Sequence, residues 1–167
     1  MDIRNVMLEE FREELPATRK ALQRIPEDKL GWKPHAKSMT LGELAMHIAM
    51  IPGNMARITR DETFDVMQGN FRIPMPQNRQ EVLDALEKSV PEVEETFRET
   101  SAEGAEATWT LVRGEQVITR RPRYKAWRMI LLGHWYHHRA QLGVYLRLLD
   151  VPVPPTYGPS ADENPFG

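Results

Sequence analysis

The chain has 167 residues, 41% of them hydrophobic and 28% charged, which suits one globular domain with a sizeable core. A net charge of −2 gives no electrostatic reason to expect nucleic acid or an acidic membrane surface as partner. Cysteine is absent, which excludes disulfides, thiolate ligands and a cysteine nucleophile, so any metal must rest on imidazole, carboxylate or water.

The opening "MDIRNVMLEEFREEL" is charged throughout and lacks the apolar core of a signal peptide. No apolar run approaches the ~20 residues of a membrane span, so the expected location is the cytoplasm. Ile3, Met7, Phe11, Leu15, Thr18, Leu22 and Ile25 recur at gaps of three and four, one buried helical stripe, with Pro16 expected to kink it and Pro26 to end it. After the turn-like "GWKPHAKS", Thr40 and Glu43 form a capping box that starts a second helix. The segment "RDETFDVMQGNFRIPMPQ" has no consistent period and reads as a long connection. Asn78 and Glu81 cap a third helix carrying Val82, Leu86, Val90, Val93 and Phe97, with Pro91 interrupting it.

Between Gly104 and Pro122, β-branched and aromatic residues around "RGEQ" suit a short hairpin or an extended crossover. A fourth helix runs from about Tyr124 to Leu149, and the proline-rich tail "VPVPPTYGPSADENPFG" should lie on the surface as an irregular arm. These segments predict an all-α four-helix bundle over residues 1–150 with a C-terminal arm at 151–167; the long connections call for at least one crossover.

Three of the five histidines crowd into "GHWYHHRAQL" on the fourth helix. On a wheel of ~100° per residue, Trp127, Ile130, His138, Gln141, Tyr145 and Leu148 fall within about 40° of His134. His137 sits on the flank of that stripe and Arg139 points away. The His134/His138 pair at i, i+4 is thus expected to face the core and can converge on one ion. His47 shares an inward face of the second helix with Leu44, Ile51 and Ile58. Alone, His47 reads more readily as a hydrogen-bonded core histidine. Three inward rings without partners, however, carry a desolvation cost of ~1–3 kcal/mol each, which a shared divalent metal ion removes. His35, in a polar turn, is expected in solvent. Glu43 reads as the capping partner rather than a fourth ligand. His137 is either a group supporting the ligands or a flank residue, and Gln141 either bonds a ligand or water or satisfies backbone.

The stretch "LGELAMHIA" followed later by "GHWYHHRAQLGVYLRLLDVPVP" resembles the DinB-like superfamily and its HxxHHRGQ pattern, here read from His134 to Gln141 with Ala140 in place of the frequent glycine. "GWKPHAKSMTLGELAMHIA" also looks like the segment leading into that family's second helix. The resemblance implies an up-down-down-up four-helix bundle, a homodimer, and one divalent metal ion per chain, nickel or zinc, on His47, His134 and His138. Similar proteins include bacillithiol transferases and mycothiol-dependent maleylpyruvate isomerases. A metal-dependent transferase joining a low-molecular-weight thiol to a small electrophile is the expectation, with His137, Glu43 and Gln141 as supporting candidates. A metal-dependent hydrolase with His137 or Glu43 as base stands as an alternative, as does a non-catalytic metal- or small-molecule-binding bundle with Glu43 or Gln141 as fourth ligand. Exposed flank positions such as Trp135 and Val144 are where a second copy would pack.

Overall fold

The first three long helices each begin at a residue whose side chain closes the first turn. In the computed structural model, which describes residues 2–166, helix α1 (Ile3–Gln23) opens on Asp2, whose carboxylate accepts from the Arg4 N–H at 3.0 Å. Helix α2 (Leu41–Ile58) opens on the reciprocal Thr40–Glu43 capping box, and α3 (Arg79–Glu99) on Asn78, which accepts from the Glu81 N–H. The sequence expectation that Pro16 kinks α1 and Pro91 interrupts α3 is corrected: both helices run through, as α2 does through Pro52. A proline removes one backbone hydrogen bond, and buried residues on both sides, Phe11 and Leu22 in α1 and Leu86 and Val93 in α3, hold each helix in place.

Helix α3 leads through the short α4 (Ala102–Glu106) into a hairpin, one of the two arrangements that suit the residues around "RGEQ", formed by β2 (Thr108–Arg113) and β3 (Gln116–Pro122). The turn passes through Gly114 at φ +56°, a left-handed conformation that costs glycine least. The long connection also contains a strand, β1 (Thr63–Asp65), pairing in parallel with β2 to give the order β1-β2-β3. The all-α expectation is therefore corrected to a mostly helical fold with a small three-stranded sheet. Three residues are too few to display a period-two pattern, so β1 left no signal in the sequence.

The last helical stretch is not uniform. Helix α5 (Arg123–Ala126) runs into a π-helical segment, Trp127–Gly133, and then α6 (His134–Leu148). Each i→i+5 turn takes one residue more than an α turn and slips the phase by about 100°. Consequently the buried face of α6 is Trp135, Arg139, Leu142 and Leu146, while Gln141 and Leu148 are exposed. His134 and His138 stand at the edge of the core stripe rather than at its middle. Arg139, expected to point away, is 5% exposed: it donates to the Glu14 carbonyl, Thr18 Oγ1 and Tyr157 and pairs with the Glu14 carboxylate. Trp135 is fully buried, so of the two flank positions offered for a partner only Val144 is exposed.

Contacts give the direction of each helix pair. Arg4, Arg12 and Arg19 of α1 meet Thr100, Glu94 and Glu87 in turn, which makes α1 and α3 antiparallel. Ser89 of α3 donates to the Ala49 carbonyl, and Glu92 and Glu95 receive Arg60, so α2 and α3 run parallel. They approach closely at Gly53, where a Cβ would lie 3.0 Å from Ser89 Cα. Trp127 donates to Thr59 and Trp135 to the Ile48 carbonyl, while Tyr145 donates to the Met39 carbonyl, so the last stretch runs antiparallel to α2. Phe11 stacks on Trp135, and Thr18 lies beside Arg139, parallel with α1. The segment after α6 lies along the bundle, with Asp162 paired to Arg147 and Glu163 to Lys20 and Arg24. Among the described residues, no helix is long and apolar enough to cross a membrane.

Candidate metal centre

The antiparallel packing of α2 against α6 brings residues 87 positions apart in sequence face to face. Trp135 sets the register. Its indole N–H donates at 3.0 Å to the carbonyl of Ile48, whose helical partner four residues on is Pro52, a residue without an N–H. Ile48 neighbours His47, and Trp135 neighbours His134. This one hydrogen bond therefore locks the two histidine-bearing turns together.

Around that lock, His47, His134 and His138 each present one ligand atom, and the three atoms lie within 4.8 Å of one another, a group able to hold a metal ion. All three rings are half-buried. His47 Nε2 and His134 Nε2 stand 3.3 Å apart. His47 and His138 rings are 4.5 Å apart between centroids, and His134 and His138 4.7 Å.

The neighbours determine which nitrogen of each α6 ring carries its proton. His134 Nδ1 lies 3.3 Å from the Ile130 carbonyl, which only accepts, so Nδ1 is the donor and the Nε2 lone pair faces His47. His138 Nδ1 lies 2.7 Å from Gln141 Oε1, so the same tautomer follows and its Nε2 is left as the electron-pair donor. The amide of Gln141 then donates from Nε2 to His137 Nε2 at 3.1 Å. Gln141 thus ties His137 and His138 together, one of the roles left open for it and for His137 by the sequence. Outer hydrogen bonds of this type orient imidazole ligands and raise their basicity. Replacing Gln141 by Ala is expected to weaken divalent-metal affinity ~10-fold to 100-fold, measured by competition with a chromophoric chelator; unchanged affinity would show that the bond to His138 contributes nothing.

Electrostatics point the same way. Burial, followed by the nearby His138 and His134, pulls His47 down to about 4. Burial also lowers His134 and His138, although the Ile130 carbonyl and Gln141 respectively oppose part of the shift. The rings are therefore neutral at pH 7, the form that donates to a metal.

Glu43 and His35 both lie outside the cluster, in the cap and the polar turn where the sequence put them. Glu43 Oε2 accepts from both the Thr40 N–H and its hydroxyl at 2.8 and 3.0 Å, so this carboxylate closes the α2 cap and is absent from the histidine cluster. His35 is exposed and its Nδ1 accepts from the Lys37 N–H. What the sequence did not mark is the wall beside His47: the long connection folds back so that Phe71, Arg72 and Ile73 line a cavity of about 50 Å³ together with it. A periodless segment carries no signal of where it will lie.

A family model described as the DinB family matches residues 1–164. The protein YrdA of Bacillus subtilis is 25% identical over 159 residues, which is 93% of this chain and 89% of that one. A DinB-like protein from Bacillus cereus, solved by crystallography, is 21% identical and superposes with a TM-score of 0.70, covering 90% of this chain and 95% of that one. A variant of the mycothiol-dependent maleylpyruvate isomerase shares the fold at a TM-score of 0.56 and 13% identity; 90% of this chain covers 64% of that longer one.

Proposed function

The chain belongs to the DinB family, and from that premise we propose that His47, His134 and His138 bind one divalent ion, nickel or zinc, and that the protein transfers a low-molecular-weight thiol onto a small electrophile. The observation that carries this reading is the donor set: three imidazoles from two facing helices, neutral at pH 7, two with their protons held on the outer nitrogen. Imidazole donors suit zinc, nickel, copper and iron. A three-histidine set leaves a coordination position for a ligand, as catalytic sites do. The same reading takes the long helices as an up-down-down-up bundle, supported by the pair directions given by Arg12–Glu94, Ser89–Ala49 and Trp135–Ile48.

A divalent ion held here supplies the positive charge that brings a thiol pKa well below its free ~8.5. The chain's own contribution is to keep that charge uncancelled, because imidazoles bring none of their own. His134 and His138 are held in one orientation by Ile130 and Gln141, so no rearrangement is needed when a ligand arrives. Glu43 is committed to its cap and Gln141 Oε1 to His138, which removes the support for a Glu43 base or for a closed shell completed by either. The thiol reading draws its chemistry from the shared fold of the mycothiol-dependent isomerase.

The test is conjugation of bacillithiol, mycothiol, glutathione or 2-mercaptoethanol with monochlorobimane, run with nickel, zinc, manganese and iron in turn. In that reaction a C–S bond forms, the C–Cl bond breaks, chloride leaves and the thiol proton passes to solvent. Metal-loaded protein is expected to exceed background with at least one thiol, and His47→Ala to return the rate to background while remaining folded. Background rates with every thiol, in protein shown to hold metal, overturn the transferase reading.

A further inference from the structure

The cavity beside His47 has an apolar body and one cationic group. Met50, Ile51, Met55 and Ile73 supply the apolar lining, and Arg72 and Asn54 are its polar members besides the histidine. Volume near 50 Å³ is several times what one water needs. Asn54 is shared with two larger hollows of about 220 and 390 Å³, so a ligand at His47 has room to extend along α2.

Arginines elsewhere on this face are already neutralised. Arg57 lies 3.6 Å from Glu92, and Arg60 pairs with Glu92 and Glu95. Arg72 has no carboxylate within ion-pair distance among the described residues, and its one polar contact is the backbone N–H donating to Asn70 Oδ1. Its place is set by its neighbour: Phe71 packs edge-on against Phe64 of β1 at 6.1 Å. Asn54 Oδ1 accepts from Arg57, which leaves the Asn54 amide N–H₂ as a second donor in the same wall. Arg72, an exposed residue free of any carboxylate among the described residues, and the Asn54 amide both line this apolar slot next to a neutral donor set, a combination that suits an acid on a short carbon chain.

We propose that Arg72 recognises a carboxylate on the substrate of this site, so that the ligand is a small acid with its carboxylate at Arg72 and Asn54 and its other end toward His47. The assignment deepens the thiol reading above and rests on it for the identity of the other end. It makes Arg72 a specificity-determining residue contributed by the long connection rather than by a helix.

Calorimetry on the zinc-loaded protein tests it with two matched pairs: butyrate against butyramide, and 3-mercaptopropionate against its methyl ester. The wild type is expected to bind each acid about tenfold tighter than its neutral partner. Arg72→Gln should bring both ratios to near one, and Arg72→Lys, which keeps the charge but not the fork, should retain part of them. Equal binding of acid and neutral partner by the wild type overturns the assignment. So does a preference that survives in Arg72→Gln, since the acid would then be held by the metal alone. Failure of the thiol reading is seen separately: with cobalt in the site, neither thiol gives a thiolate-to-metal absorption band while the butyrate preference still depends on Arg72.

Discussion

His138→Ala is expected to reduce bound divalent metal from one ion per chain to a small fraction of that, with the helical circular dichroism unchanged. The ring is half-buried and its Nδ1 bonds only to Gln141, an exposed residue, so truncation opens no large core cavity. It removes one of three donors. Losing a supporting partner costs ~10-fold to 100-fold in affinity, and losing a donor itself should exceed the upper end of that range. Metal analysis of wild type and variant after identical loading and desalting decides the matter, with His35→Ala as the control because His35 is exposed in its turn. Equal occupancy in His138→Ala discards the ligand assignment. Acid should act in the same direction, since a protonated imidazole cannot donate. Folding pulls His47 down to about 4 and lowers both partners. Protons therefore compete less than they would at free imidazoles, and metal should be lost at a lower pH than a free-imidazole site would lose it.

Trp135→Ala should destabilise the fold by ~3–5 kcal/mol, the range for deleting a fully buried aromatic. Trp135 has no exposed surface, stacks on Phe11 with ring centroids 5.3 Å apart, and donates to the Ile48 carbonyl. Phenylalanine at this position keeps most of the stack and removes the donor. Because Pro52 supplies no N–H to the Ile48 carbonyl, that oxygen would be left without either partner in a buried setting, costing ~1–3 kcal/mol. Chemical denaturation of the three proteins measures both steps. A Trp135→Phe variant as stable as wild type would show that the indole does not replace the missing proline hydrogen bond. The same variant should loosen the alignment of His47 with His134, since Trp135 and Ile48 are their immediate chain neighbours.

Helix positions were legible in the sequence because their causes are local. Thr40 with Glu43 and Asn78 with Glu81 announce helix starts within four residues, and the spacing of Met7, Phe11, Leu22, Val82, Leu86 and Val93 marks buried stripes. The residues around "RGEQ" suited a hairpin or an extended crossover, and pairing between the two strands selected the hairpin. The His134/His138 pair was legible too, since i, i+4 spacing places both on one side of a helix whatever surrounds it.

Facing and environment were not legible, because they depend on partners distant in sequence. The π-helical Trp127–Gly133 slips the phase of α6, so the core takes Trp135 and Arg139, and a wheel of uniform pitch could not show it. Arg139 is buried only because α1 and Tyr157 bring it acceptors. By itself the sequence determined which residues can form helices and which side chains can bind a metal, both properties of short stretches and of side-chain chemistry. Tertiary structure alone decided that His47 meets His134 at 3.3 Å, which ring nitrogen carries each proton on α6, and that Arg72 lines the same cavity. Those outcomes follow from packing between elements, where a hydrogen bond such as Trp135 to Ile48 links chain segments that no local period relates.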